Sequence, residues 1–441
     1  MSSRRSRTFA GGLWALAGLA LAAGPAYAHP PASPVEEEAR LEPARETLDA
    51  RIGLFASRVM ARPEDGASWF VLGDYHRQRA RIFGDLGDYR EAERALRRAT
   101  EILPEYLRAA VGLAGVLYDL HQFREALDRA EDILQRDPGS LDARVLRLDC
   151  LTALGRYEEA RELLDALALD TGDQLAGAPA LLVRRAQLAE LHGHTGDAEA
   201  LLLEARDRVY ADDPSESTAA WYELRLAELE WGRGRLDTAE RALHRALELR
   251  PGWSPALAAQ ARIEAARGRT GAALELYAQA VAAQPEPILW HAIGDLHAAS
   301  GNMTEAEKAY GEAERLALAS PLHRRLYRRQ LALLWADLER NLDEAVRLAR
   351  EDLAEREDIH AWDTLAWALY KRGEIAEAAA AVARATALGT EDARILYHAA
   401  RIAQAEGTAD RAQRLLRRAR AVNPWTEPPP DGNVGSRFSR M

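Results

Sequence analysis

Cysteine occurs once in the 441 residues, as Cys150. That excludes an intramolecular disulfide and any Cys-rich metal site. Lysine is nearly as scarce, at Lys308 and Lys371 only, so almost all the positive charge is arginine. Acidic residues outnumber basic ones, 69 to 58, for a net charge of -11, which leaves no basic excess to meet a nucleic-acid backbone. Aromatic residues make up only 7%. Mechanism-bearing motifs are missing as well: there is no G-x-x-x-x-G-K-[ST], no H-E-x-x-H and no G-x-S-x-G. His192 and His194 flank one glycine and offer two ligands where a structural site needs three or four. His291 and His297 stand six apart, about 240° around a helix, and cannot share a metal from one face. The sequence therefore points to a non-catalytic chain with neither metal nor cofactor.

What is present suits helices with one buried face, because 48% of the residues are hydrophobic and 29% charged. The N-terminus is built differently. Arg4, Arg5 and Arg7 precede an uncharged apolar run from Phe9 to Ala23, and Ala26-Tyr27-Ala28 puts small residues where a signal peptidase reads. Residues 1–28 are expected to be a cleaved signal peptide; a retained membrane anchor is the alternative, and either would carry the body out of the cytoplasm. Residues 29–35, rich in proline, read as a flexible linker. Residues 36–62 read as one amphipathic capping helix with Leu48, Ile52, Phe55 and Val59 on one side.

From there one unit recurs. In Ile359–Thr390, Trp362, Leu365, Ala366 and Leu369 form a stripe at i, i+3, i+4 and i+7, and Gly373 ends that helix. Ala378, Val382 and Ala385 then open a second stripe, ended by Gly389. The residue matching Ala378 returns at Ala92, Ala126, Ala160, Ala198, Ala239, Ala273, Ala306, Ala345 and Ala412, with spacings of 34, 34, 38, 41, 34, 33, 39, 33 and 34 along the series. Around Trp290 the sequence reads W-H-A-I-G-D-L-H, followed by Gly301, Ala306, Tyr310 and Ala313 at turn, small, aromatic and small positions. Prolines 104, 138, 251, 285 and 424 stop the second helices. In these features the chain resembles the tetratricopeptide repeat family over nearly all of residues 36–426. The resemblance implies an all-α fold, a right-handed superhelical α-solenoid of about ten helix-turn-helix repeats over residues 63–426. Residues 427–441 lack periodicity and read as a disordered tail.

The irregular spacings predict longer helices or a protruding loop near Ile82–Asp88. They predict longer connections at Ala168–Gly177 and Tyr210–Thr218, and a helix break near Leu318–Arg325. The resemblance also implies a concave groove lined by the first helix of each repeat. Inward positions then include Tyr118, Glu228, Trp231, Asp363, Trp367, Tyr370, Tyr397 and Arg401, with Lys371 at the edge. Trp367 and Tyr370 lie off the Trp362–Leu369 stripe, so they are either an exposed anchor pocket or rings packed between repeats. No repeat has asparagine at the inward position used by relatives that clamp a peptide carboxylate, and Lys371 is alone on that face. The expected function is a protein-interaction scaffold of the bacterial cell envelope that captures an extended peptide or a helix. A secreted polysaccharide, or a role in assembling an envelope-polymer export complex, is the alternative.

Overall fold

The computed structural model describes residues 45–170, 178–211 and 215–425. The expected signal peptide, linker and C-terminal tail lie outside these residues, as do residues 171–177 and 212–214 of the two long connections. The described residues form 22 helices and no strand. Helix α1 (Arg45–Ala61) is the described part of the capping helix, and it buries Leu48, Ile52 and Val59. Ten helix pairs follow. Repeats 1 to 3 are α2 (Gly66–Phe83) with α3 (Leu86–Ile102), α4 (Leu107–Asp119) with α5 (Phe123–Arg136), and α6 (Leu141–Ala153) with α7 (Tyr157–Asp170). Repeats 4 to 6 are α8 (Pro179–Leu191) with α9 (Thr195–Ala211), α10 (Glu216–Gly232) with α11 (Leu236–Leu249), and α12 (Ser254–Ala266) with α13 (Thr270–Ala283). Repeat 7 is α14 (Pro287–Ala299) with α15 (Met303–Ala317), after which the short α16 (Pro321–Leu326) fills the helix break. Repeats 8 to 10 are α17 (Arg328–Asp337) with α18 (Leu342–Glu355), α19 (Ile359–Arg372) with α20 (Ile375–Ala385), and α21 (Ala393–Ala405) with α22 (Ala409–Val422).

Every marker alanine is buried, from Ala92 at 0% exposure to Ala412 at 4%. A larger side chain there would push the paired helices apart. The first helix opposes it with another small or snugly covered position: a Cβ built on Gly294 would lie 2.3 Å from Cε1 of Tyr310. The seven extra residues of repeat 1 lengthen its helices instead of forming a loop, so that α2 has 18 residues and α3 has 17, joined through the left-handed Gly84. Helix starts are held by acids and hydroxyls: Asp65 accepts from the Ser68 N–H, and Asp358 accepts from the N–H groups of His360 and Ala361.

First and second helices are antiparallel, so hairpin turns within repeats lie on one rim and linker turns between repeats lie on the other. The two rims meet. A Cβ on Gly84 would lie 2.7 Å from the Gln284 side chain, one on Gly155 2.5 Å from the Glu357 carbonyl oxygen, and one on Gly193 2.6 Å from that of Gly389. One on Gly234 would lie 2.8 Å from Pro424. Hairpin turns of repeats 1, 3, 4 and 5 thus carry the linker turns that precede repeats 7, 9 and 10 and follow repeat 10. One superhelical turn takes six repeats, and repeats 7 to 10 form an upper tier seated on a lower tier.

Polar contacts cross this seam. The Glu357 N–H donates to the Leu154 carbonyl at 3.2 Å, the Ile359 N–H to the Tyr157 hydroxyl at 3.0 Å, and the Asn423 side-chain amide to the Trp231 carbonyl at 2.6 Å. One apolar cluster runs through both tiers, joining Leu86, Tyr89, Leu154 and Tyr157 below to Tyr327, Leu331, Ile359 and Leu365 above.

Six first helices spaced about 9 Å apart place the superhelix axis only about 9 Å from each helix, and a helix with its side chains reaches about 5 Å. The lumen is therefore narrow, roughly 8 Å across between opposing side chains.

Candidate functional site

The inward positions divide along the chain, after repeat 4. In repeats 1 to 4, Phe70, Asp74, Arg77, Tyr118, Asp149 and Glu190 keep partial exposure. In repeats 5 to 10 the same face is sealed: Trp231 is 4% exposed, Glu228 6%, Asp363 0%, Trp367 4% and Tyr397 6%. Of the two arrangements open to Trp367, the structure has the ring packed between repeats. Asp337, Tyr370, Tyr397 and His398 enclose the ring.

Five expected groove residues do come together, on the first helices of repeats 9 and 10. Trp367 stacks on Tyr370 with centroids 5.1 Å apart and lies 6.4 Å from Tyr397. Its other neighbour is His398, ring on ring at 4.0 Å and 9°. The indole N–H donates to Asp337 at 2.7 Å. Lys371 Nζ lies 5.0 Å over the Trp367 ring and also 3.2 Å from Glu339. Arg401 donates to the Tyr397 hydroxyl at 3.4 Å and interacts with that of Tyr370. Tyr370, Lys371 and Arg401 are half-buried, and the last turn of α19 sets the first two at the upper rim. The result is a polar, cationic lip over a rigid aromatic floor.

Asp363 lies one turn deeper and serves the floor. It accepts from His398 at 2.8 Å, and Arg394 approaches it at 3.6 Å. Burial raises the Asp363 carboxyl, but His398 and Arg394 outweigh burial and hold it below its ordinary value. With Asp363 at 0% exposure and His398 at 1%, this carboxylate–imidazole pair is shut off from any substrate.

Glu228, Trp231 and Tyr118 lie apart from that cluster. Glu228 pairs with Arg225 of its own helix, and the Arg262 guanidinium lies 5.7 Å from the Trp231 ring centroid. Burial raises Glu228, opposed by Arg225 and Arg262. Tyr118 stands near Asp149 and Arg184 in the lower tier, where burial drives its hydroxyl well above the ordinary value. Arg184 grips Asp149 with two bonds, at 2.7 and 2.6 Å.

Arg184, Arg225, Arg262, Arg394 and His398 were missed as partners by sequence reasoning. A signal existed, because Asp149–Arg184, Glu190–Arg225 and Asp363–His398 are each 35 residues apart, a carboxylate and a hydrogen-bond donor one repeat along the same face. Inward positions are spent in part on repeat-to-repeat pairing. The Cys150 thiol is buried, and burial raises it well above its ordinary value, so it is inert. Among the described residues no three His, Cys, Asp or Glu side chains are grouped to hold a metal.

One tetratricopeptide repeat model matches residues 117–182, and a second matches residues 77–120, 224–287 and 258–321. The chain is a tetratricopeptide repeat protein. Its helical pairs, marker alanines and hairpin glycines are those of the tetratricopeptide unit repeated ten times. No curated protein matches it. Among solved structures it is similar to the Cut9–Hcn1 hetero-tetramer of the APC/C, at 15% identity and a TM-score of 0.34 over 90% of this chain and 93% of that one. It is likewise similar to yeast Tom70, at 16% identity and a TM-score of 0.34 over 84% of this chain and 88% of that one. In this tetratricopeptide solenoid, the accessible part of the aromatic cluster is the lip formed by Tyr370, Lys371 and Arg401.

Proposed function

We propose that this tetratricopeptide solenoid is a non-catalytic protein-interaction scaffold of the bacterial cell envelope, engaging an extended segment or a helix end at the upper mouth of its lumen. The observation that carries the reading is the half-buried Tyr370 held between Arg401 and the stacked Trp367. A ring locked from below but reachable from above presents contact area at little entropic cost, and two cations beside it select for acidic neighbours. The narrow lumen restricts capture to a short stretch of partner. Export is supported by the Arg4–Arg7 head, the apolar Phe9–Ala23 run and the Ala26-Tyr27-Ala28 site. Mass spectrometry of the exported protein tests it; a mature form beginning at Met1 would refute cleavage.

A secreted polysaccharide is the second ligand class, favoured by the stacking face of Tyr370 beside hydrogen-bonding Arg401. Tyr370→Ala with Arg401→Ala is the variant of choice, because both side chains are half-exposed and their loss leaves the Trp367 floor in place. Partner capture from envelope extracts and binding to a glycan array are then compared with the parent chain. A fold with unchanged circular dichroism that loses capture supports the protein reading, and one that loses only glycan binding supports the second. If neither changes, the lip is not the site.

A further inference from the structure

The end of repeat 10 reaches repeat 5 through three residues that belong to no helix pair. Helix α22 stops at Val422, and its own Leu415, Leu416 and Val422 pack against the apolar cluster that runs through both tiers. Trp425, three residues on, packs instead against the separate cluster of repeats 4 to 6. Among the described residues it is the only side chain from beyond Ala266 to do so. Asn423 fixes the crossing. Its side-chain amide donates to the Trp231 carbonyl at 2.6 Å, and its side-chain oxygen accepts from the Trp425 N–H at 3.0 Å. The Trp425 indole N–H donates to the Gly234 carbonyl at 3.3 Å.

Behind this crossing lies a cavity of about 50 Å³, room for a few water molecules. Repeat 4 gives Glu190 to its wall, repeat 5 gives Trp231 and Arg233, repeat 10 gives Ala393 and Arg394, and the crossing gives Asn423. With the crossing in place, Trp231 is 4% exposed and Arg394 5%. The other tier contacts are held from both sides, because Glu357 and Gly389 each lie between two complete helix pairs. Asn423–Trp425 follows a helix pair and, among the described residues, precedes none. It can therefore lift without parting any first helix from its second. The cost of a local opening is set by the contacts it breaks, here side-chain hydrogen bonds and one half-buried ring.

We propose that Asn423-Pro424-Trp425 is a strap that latches repeat 10 on repeat 5 and shuts this cavity. Its release uncovers Trp231 and Arg394 while the helix pairs stay folded. The strap is thus an autoinhibitory contact, separate from the lip at Tyr370 and Arg401.

Thiol labelling of the full chain tests this, because Cys150, 0% exposed in the other cluster, is the only native cysteine. Ala393→Cys puts a second thiol on the cavity wall, where the native side chain is 5% exposed. With the strap intact, the introduced thiol should react slowly with a water-soluble maleimide. Adding Asn423→Ala and Trp425→Ala should speed that reaction about tenfold or more, with the Cys150 rate and the circular dichroism unchanged. Asn423→Asp keeps the shape and the bond from the Trp425 N–H but loses the donor to Trp231. It should give a smaller acceleration, and it carries the test if the double change does not fold. An introduced thiol that reacts at one rate in all three chains overturns the proposal. So does equal acceleration of both thiols, which would make the strap a staple for the whole fold.

Discussion

The backbone N–H of Glu357 donates to the carbonyl of Leu154 at 3.2 Å, although some two hundred residues separate them. Beside it, a Cβ on Gly155 would lie 2.5 Å from the Glu357 oxygen. A solenoid whose repeats touched only their sequence neighbours would contain no such contact. Gly155→Ala should therefore be costly twice over, through its φ of 77° and through collision with the upper tier. Gly301→Ala, with a φ of 78° and open space, carries the backbone strain alone. Urea denaturation should give about 1 kcal/mol for Gly301→Ala and about 3 kcal/mol or more for Gly155→Ala. Equal losses would mean that the tiers do not bear on one another.

Cooperativity is the second consequence. With one apolar cluster shared by both tiers, repeats 1 to 3 and repeats 8 to 10 should unfold together and not fray from the ends. Hydrogen exchange should give matching protection for amides in α4 and α19. Tyr157→Phe removes the acceptor of the Ile359 N–H and should lower protection in both tiers while costing about 1 kcal/mol. A loss confined to repeat 3 would argue for independent tiers.

Glu286 gives the seam a pH dependence. Burial pushes its carboxyl up from 4.5 to about 8, against the Gln284 side-chain amide that donates to it at 2.6 Å. Tyr89 of repeat 1 and Tyr327 also face it. The folded chain keeps this proton where the unfolded chain loses it, so stability is full below pH 4.5 and declines as pH rises toward 8. Glu286→Gln, neutral and of the same shape, should raise the melting temperature at pH 8 and leave it nearly unchanged at pH 4. A drop at pH 8 would show that the carboxylate is the favoured form.

His360 titrates in the opposite sense. It is 4% exposed, neither ring nitrogen has a hydrogen-bond partner among the described residues, and burial lowers it from 6.5 to about 4 in spite of Asp358 and Asp392. The unfolded chain takes up its proton first, so stability is lost as pH falls from 6.5 to 4, by roughly 3 kcal/mol at most. His360→Leu should flatten that acid limb in a series of urea titrations. An acid limb as steep as the parent's would assign it to other groups.

Much of this was legible in the residues. The marker alanines, the stripe from Trp362 to Leu369 and the hairpin glycines specify which helix packs on which, because a period of 34 records contacts between neighbours. Ten repeats, their order and the pairing of each first helix with its second follow from sequence alone. The fate of Trp367, Tyr397 and Trp231 does not. Whether an inward ring meets solvent or another repeat depends on how many repeats close a superhelical turn, and that number is the sum of small rotations at every interface. No single residue encodes the sum. Only the tertiary structure decides that six repeats bring Glu357 over Gly155, seal the upper lumen and leave Tyr370, Lys371 and Arg401 at its mouth.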